Sequence, residues 1–292
     1  MRVSVIIATY NAESTVKKCV ESIFSQSYSD IEVVVMDGGS SDRTVEYVNS
    51  FHSPKVIIRS ERDKGIYDAW NKGIEVATGD WLVFIGADDY LASSEAIKNA
   101  LELISAEKSD QQQAIYYGRL LVLDEAGVAF DGIGSEWLDP WSFAGRHKWC
   151  QFPIPIMAAF YHKSCFLKNR FDINYKIMAD INLVLSVARK RAPKYIGDIN
   201  ITEMGFGGIS TNPKRSLLLL REAIAVRKYH GLSIFNIQFA ILSVKLFLKY
   251  AITTVFGPKS GIKLVGLMHK IKRMKRKSID SNKNHPVAKE LK

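Results

Sequence analysis

The sequence predicts an α/β protein, an open twisted sheet with helices on both faces, followed by a helical C-terminal region. Three observations carry this. Short apolar runs rich in β-branched residues alternate with helix-period segments through residues 1–106. Each of the first four apolar runs ends in polar or Gly-rich residues, on the one edge of such a sheet where ligands bind. From residue 216 onward the pattern is almost wholly helical, and the excess positive charge lies there.

Taken in order, Val3–Thr9 reads as a continuous apolar strand. Residues 13–25 place Val16, Cys19, Val20, Ile23 and Phe24 at helical spacing. Ile31–Asp37 is a second strand, and Ser41 or Asp42 can cap a helix through Val45 and Val48. Val56–Ser60 is a third strand, residues 65–77 a helix, residues 81–85 a fourth strand and residues 93–106 a helix. Residues 114–123 look like another strand, with a turn at 124–127. Residues 131–157, rich in Trp, Gly and Pro, predict a long shaped loop. Helical periodicity returns near Asp180, and GFGGIS (205–210) reads as a flexible loop.

A chain of 292 residues is long enough for one large domain, or for one domain with an appendage. Cys19, Cys150 and Cys165 are too few and too scattered for a disulfide framework or a zinc site, and fit buried thiols in a reducing compartment. The first apolar run turns polar too soon for a secretory signal or a membrane span. Net charge is +10, but residues 257–292 hold eleven Lys or Arg against two acids, so the body is nearly neutral. A basic tail of this kind points to an anionic surface; no nucleic-acid reading motif accompanies it.

Asp88 and Asp89 follow directly on a buried strand. A helix N-terminus attracts acids, and the helix near Ser93 is close. A divalent cation would offset the mutual repulsion, and oxygen ligands suit Mg²⁺ or Mn²⁺ completed by waters and a diphosphate. Asp37-Gly38-Gly39-Ser40-Ser41-Asp42 combines a strand-end carboxylate with glycines that permit close ligand approach, or is a plain strand–turn–helix link. Gly73, inside a helix, implies close packing or close ligand approach. Arg62 and Lys64 are either phosphate contacts or solvated charges.

VSVIIATYNAESTVKKCVESIFSQSYSDIEVVVMDGGSSDRT, then DKGIYDAWNKGIEVATGDWLVFIGADD, resembles the nucleotide-sugar-binding half of the family 2 glycosyltransferases. The likeness runs through about residues 1–124 and more loosely to about 210. It implies a GT-A fold, a Rossmann-like open twisted mixed sheet, and relatives that build bacterial surface polysaccharides (O-antigen, capsule or exopolysaccharide). By position, the resemblance makes Thr9 and Tyr10 the turn beneath the base, with Tyr10 free to stack on uracil. It makes Asp37 the acid that recognises uracil or ribose, and puts Asp63 and Asn71 on the donor-site wall. Asp88 and Asp89 match the end of the family's metal motif, shortened here because Gly86 stands where an acid is common; Asp89 falls to the metal and Asp88 to ribose or metal. FDINYKIMADINLVLS resembles the acceptor-side motif, which makes Asp180 the general base, against the plainer reading that it caps the following helix. In the same way GFGGIS matches a mobile loop in which Gly207, Gly208 and Ser210 close over the donor diphosphate. His147 and His162 carry no spacing that marks them as ligands, and Trp137, Trp141 and Trp149 read as loop anchors.

Residues 232–256 are apolar but interrupted by Asn236, Gln238, Lys245 and Lys249, which fits an interfacial helix better than a clean span. With the basic cluster at 269–277, this predicts a membrane-surface anchor over residues 232–277. The expected organisation is a catalytic domain at 1–215, a basic helical membrane-associating region at 216–277 and a disordered tail at 278–292. The expected activity is inverting, Mn²⁺- or Mg²⁺-dependent transfer from a UDP-sugar to a polyprenyl-diphosphate-linked glycan, at the cytoplasmic face of the inner membrane. The alternatives are a non-catalytic nucleotide-binding partner of an assembly complex, left open by the shortened metal motif, and a sugar nucleotidyltransferase. The latter would need a Gly-rich, Arg-bearing first loop, where this chain has Thr9-Tyr10-Asn11-Ala12.

Overall fold

The computed structural model describes residues 1–107, 114–124, 127–142, 152–205, 212–234 and 236–257. Strands that are apolar on both faces need cover on both faces. β1 (Val3–Thr9) shows how this is met. Its Val3, Val5 and Ile7 face a cluster with α1 (Val16–Phe24) and α4 (Ala96–Ala106), while Ile6 faces the opposite cluster with α3 (Ile66–Val76) and α5 (Ala179–Ala188). β2 (Ile31–Asp37) and β3 (Val56–Ser60) pair in parallel outward from β1 on one side, and β4 (Trp81–Gly86) pairs in parallel on the other. The first three strands therefore begin and end where the periodicity predicts, with α2 (Thr44–Asn49) on the β2–β3 connection. Gly73 of α3 serves packing: a Cβ there would run into the Ile6 side chain and lie 3.3 Å from Met36 Cγ, so its absence lets α3 settle on the sheet.

Beyond β4 the sheet turns mixed. Among the described residues nine strands join in one sheet of order β3-β2-β1-β4-β8-β6-β9-β5, with β7 beside β6. Here β5 is Asp89–Leu91, β6 Ile115–Leu123, β7 Ala129–Ile133, β8 Ala159–His162 and β9 Lys194–Gly205. The long loop expected at 131–157 is shorter than that, because its start is the end of β7, which folds back on β6 as a hairpin. β9 runs parallel to β6, and its far end pairs with β5 so that Asp89 lies opposite Met204. β9 thus ends beside Asp89, and Gly207, Gly208 and Ser210 lie outside the described residues.

α6 (Ser216–Tyr229) and α7 (Ile237–Phe256) are not a detached appendage. Ala223, Val226, Leu232 and Phe239 share a core with Ile177, Met178 and Leu185 around the start of α5. Trp141 anchors the preceding loop to the same place, donating from Nε1 to the His230 carbonyl at 3.0 Å beneath the Arg189 guanidinium. α7 has 20 residues and a mean hydropathy high enough to cross a bilayer. Phe239, Leu246 and Thr253, seven residues apart, are buried along one side, whereas Ile237, Ile241, Val244, Leu248 and Val255 are exposed along the other. The basic cluster at 269–277 and the tail beyond it lie outside the described residues.

Candidate active site

The β1, β2 and β3 strand ends are laced into one wall. Asp37 is only 2% exposed and accepts hydrogen bonds from the Thr9, Ser40 and Ser60 hydroxyls and the Gly39 and Ser40 N–H groups, at 2.5–3.1 Å. Burial alone would raise this carboxyl; the Ser40 and Ser60 hydroxyls, then the Ser40 N–H and the Thr9 hydroxyl, hold it below the usual carboxylate range. Both oxygens are thus engaged inside the fold, and Asp37 shapes the turn that follows β2. Asn11, in the left-handed region at φ 47°, accepts from the Ser41 N–H at 2.9 Å and closes the same turn from the β1 side.

On this wall Tyr10 is 67% exposed, a large aromatic ring turned to solvent at a strand end. A Cβ on Gly38 would lie 3.4 Å from the Tyr10 ring and 2.6 Å from Asp63 Oδ2. The glycine therefore lets ring and carboxylate converge. Asp63 Oδ1 accepts from the Gly65 N–H at 2.7 Å, which fixes the side chain and turns Oδ2 toward Gly38. Asn71 departs from expectation. Its amide donates to the Phe171 carbonyl at 2.8 Å and accepts from the Phe171 N–H at 2.9 Å, so both ends clamp a distant backbone.

Asp88 and Asp89 are unequal. Asp88 is exposed, while Asp89 is 1% exposed with Oδ2 accepting from the Gly86 N–H at 2.9 Å. Asp89 Oδ1 is buried without a hydrogen-bond partner. Burial, then the Asp88 charge, pushes the Asp89 carboxyl up to about 8 against the pull of the Gly86 N–H. Both carboxylates crowd the Gly86 α-carbon: a Cβ there would be 2.9 Å from Asp88 Oδ1 and 2.9 Å from Asp89 Oδ2. The glycine that shortens the motif is thus what lets the two acids fold back on one point. Two carboxylates converging on one glycine, one of them with a buried oxygen that no hydrogen bond satisfies, fit a divalent cation. Among the described residues no group of three His, Cys, Asp or Glu side chains could hold a metal, so such an ion would complete its shell with water and phosphate oxygens.

Asp180 lies in the first turn of α5. Burial pushes its carboxyl up to about 6, against the Ile181 N–H and the Tyr67 hydroxyl, and the Glu222 charge adds to the rise. Tyr67 Oη is 3.1 Å from Asp180 Oδ1 and donates to the Ile177 carbonyl at 2.7 Å. A hydroxyl has one proton, so when Asp180 carries a proton it can donate to Tyr67 and leave the Ile177 bond intact. The turn itself is held by Glu222 of α6, 6% exposed, which accepts from the Lys176, Ile177 and Met178 N–H groups at 2.8–3.0 Å. A carboxylate from the C-terminal region therefore holds the turn that carries Asp180. Tyr67 sits inside DKGIYD and was within reach of sequence reasoning; Glu222 bonds a backbone 44–46 residues away and had no local signal. His162 pairs opposite Trp81 at the start of β4, on the other edge of the sheet, and its Nδ1 meets Ser164 Oγ at 2.8 Å. His147 and Trp149 lie outside the described residues.

The model of the family "Glycosyl transferase family 2" matches residues 4–157. A PGL/p-HBAD biosynthesis glycosyltransferase of Mycobacterium bovis is 31% identical over 217 residues, 71% of this chain and 78% of that protein. The UDP-Glc:alpha-D-GlcNAc-diphosphoundecaprenol beta-1,3-glucosyltransferase WfaP of Escherichia coli is 34% identical over 116 residues, 39% of this chain and 46% of that protein. Among solved structures, S. aureus TarS in complex with UDP is similar at a TM-score of 0.55 and 17% identity, over 85% of this chain and 71% of that one. The mannosyltransferase PcManGT from Pyrobaculum calidifontis, in complex with GDP-Man and Mn2+, is similar at 0.57 and 17% identity, over 92% and 80%. These structural likenesses carry the architecture, which is the GT-A fold.

Proposed function

The chain belongs to glycosyl transferase family 2, and from that premise we propose that it moves a sugar from a UDP-sugar to a polyprenyl-diphosphate-linked glycan, with inversion, in surface polysaccharide synthesis. The observation that carries the reading is the acid pair at the end of β4, whose carboxylates converge on Gly86 while the other Asp89 oxygen stays buried without a partner. UDP is favoured by the Tyr10–Gly38–Asp63 corner, which offers a flat aromatic face and a carboxylate for a base N–H. In this reading Thr9 and Asp37 set the turn under the base rather than touch it, and Asn71 fixes the segment that leads to Asp180. A lipid-diphosphate acceptor is supported by the substrate in the name of the E. coli relative.

Asp88, the exposed partner, and Asp89 would hold Mn²⁺ or Mg²⁺, which would neutralise the diphosphate leaving group when bound. Asp180 takes the proton of the acceptor hydroxyl while that oxygen attacks the anomeric carbon from the face opposite the diphosphate. The bond from that carbon to the diphosphate oxygen breaks, its electron pair stays with UDP, and the anomeric centre inverts. Tyr67 turns its proton to the Asp180 carboxylate when that group is ionised, and accepts from it when it is protonated.

The exposed apolar side of α7, with Lys245 and Lys249 on the same helix, supports attachment to the cytoplasmic face of the inner membrane. Its other side buries Phe239, Leu246 and Thr253, with Phe239 in the core shared with α5 and α6, which favours a helix lying in the interface over one that spans. The test is UDP release by the purified chain over a panel of UDP- and GDP-sugars, with Mn²⁺ and with EDTA. Release that needs both Mn²⁺ and a UDP-sugar supports the reading, and GDP-sugar preference or indifference to EDTA would overturn the corresponding part.

A further inference from the structure

A cleft of about 490 Å³ lies between the first turn of α3, the turn before α5 and the start of α6. Neither the donor wall nor the acid pair uses it. Lys64, Lys176 and Arg215 line it over a floor that includes Tyr67, Ile173 and Leu218. The three cations come from three separate segments, and all three are exposed. Lys176 Nζ donates to the Lys64 and Ile173 carbonyls, each at 3.2 Å, so this ammonium is fastened across the cleft. The one acid in the lining, Asp68, is occupied: it accepts from the Lys64 N–H at 3.0 Å and lies 3.9 Å from Lys72 Nζ. Three like charges gathered around one cleft, whose one acid among the described residues is already engaged by the Lys64 N–H and Lys72, call for an anion with more than one charge.

Position narrows the choice of anion. Tyr67 lines the cleft and contacts Asp180, so the cleft adjoins the proposed proton acceptor. Arg215 opens α6, which leads to α7 and its exposed apolar side. The cleft therefore stands between the chemistry and the membrane-facing helix. Its design is also the reverse of the acid pair: two carboxylates reach a diphosphate only through a metal, whereas these cations meet one directly.

We propose that this cleft binds the diphosphate of the lipid-linked acceptor, with Lys64, Lys176 and Arg215 on its oxygens and the floor against the first prenyl carbons. The identity of the acceptor rests on the transferase reading above; the anion site does not.

The test is calorimetric binding of farnesyl diphosphate, farnesol and inorganic pyrophosphate to the full chain, with UDP saturating and Mn²⁺ stoichiometric with it. Farnesyl diphosphate should bind while UDP is present, about tenfold or more tighter than farnesol and about fivefold or more tighter than pyrophosphate. K64Q/K176Q/R215Q should weaken it at least about tenfold and leave UDP affinity within about twofold. R215Q alone, a change at an exposed residue outside the core, should weaken it by about threefold or more and guards against a triple variant that misfolds. Farnesyl diphosphate binding unchanged in R215Q and in the triple variant, or displaced by UDP, would overturn the site. Pyrophosphate binding as tightly as farnesyl diphosphate would overturn the lipid assignment. If UDP fails to bind while farnesyl diphosphate still depends on the three cations, the donor reading falls and the cleft stands.

Discussion

Two edges of the sheet each bury a carboxylate, and they treat it in opposite ways. Near the strand starts, Glu32 is 2% exposed and fully partnered. It accepts from the Ser4 hydroxyl, from the Thr78 N–H at 2.5 Å and from the Thr78 hydroxyl at 2.9 Å, and pairs with Arg2 at 3.1 Å. Burial would raise its carboxyl, but the Ser4 and Thr78 hydrogen bonds and then the Arg2 charge hold it below the ordinary range. At the strand ends Asp89 is equally buried, yet it faces another acid and leaves one oxygen bare. The same burial thus makes a structural pin at one edge and an incomplete site at the other. Stability should follow the first and turnover the second.

The largest effects should separate the edges. Asp180→Asn should cut kcat by roughly 10²–10⁴-fold with the melting temperature little changed. Asp89→Asn should also abolish Mn²⁺-dependent turnover, and its melting temperature should change little near pH 7, where burial and the Asp88 charge already keep the Asp89 carboxyl protonated. Glu32→Ala should do the reverse, losing about 3 kcal/mol in denaturant unfolding while folded molecules keep their kcat. Since the folded pKa of Glu32 is depressed, its contribution is present above the unfolded value near 4.3 and fades as pH falls through the folded one. Stability lost equally at both edges would erase the distinction.

Glu222 combines the two roles, because it is buried and satisfied yet holds the turn that carries Asp180. Glu222→Ala strands three backbone N–H groups and should cost about 3 kcal/mol together with most of the turnover. Glu222→Gln, with one acceptor oxygen left, should recover part of both, as read by paired melts and rate assays. A smaller effect sharpens the base assignment. With Asp180 pushed up to about 6, activity should rise with pH through that value as the carboxyl ionises. The Tyr67 hydroxyl pulls this value down, so Tyr67→Phe should move the acid limb to higher pH. A limb that stays in place would remove Tyr67 from the account. Gly38→Ala, whose Cβ would crowd Asp63 Oδ2, should raise the donor KM several-fold and change kcat less. The smallest effect lies farthest from both edges: Lys245→Gln, at an exposed position, should weaken binding to anionic vesicles by about 1 kcal/mol in a flotation assay.

What the sequence reveals follows the range of the interactions. β1, β2 and β3 were legible to the residue because a strand buried on both faces is an unbroken apolar run with polar ends. β8 has four residues and β5 three, too few to display a period, and β9 carries Gly197, Asp198 and Asn200 inside a strand whose place is set by pairing with β6. The acid pair stood out because adjacent carboxylates after a buried strand are locally unfavourable. Asn71 misled because its partner is the Phe171 backbone, 100 residues away, and the cleft cations are scattered over about 150 residues with no shared spacing.

The most direct measurement is calorimetric UDP binding to the wild type, Asp88→Asn and Asp89→Asn chains, each with Mn²⁺ and with EDTA. The account predicts that UDP affinity in the wild type falls at least about tenfold in EDTA, and that both variants bind weakly whether or not Mn²⁺ is present. UDP bound as tightly in EDTA as in Mn²⁺, or a Mn²⁺ response retained in both variants, would contradict it.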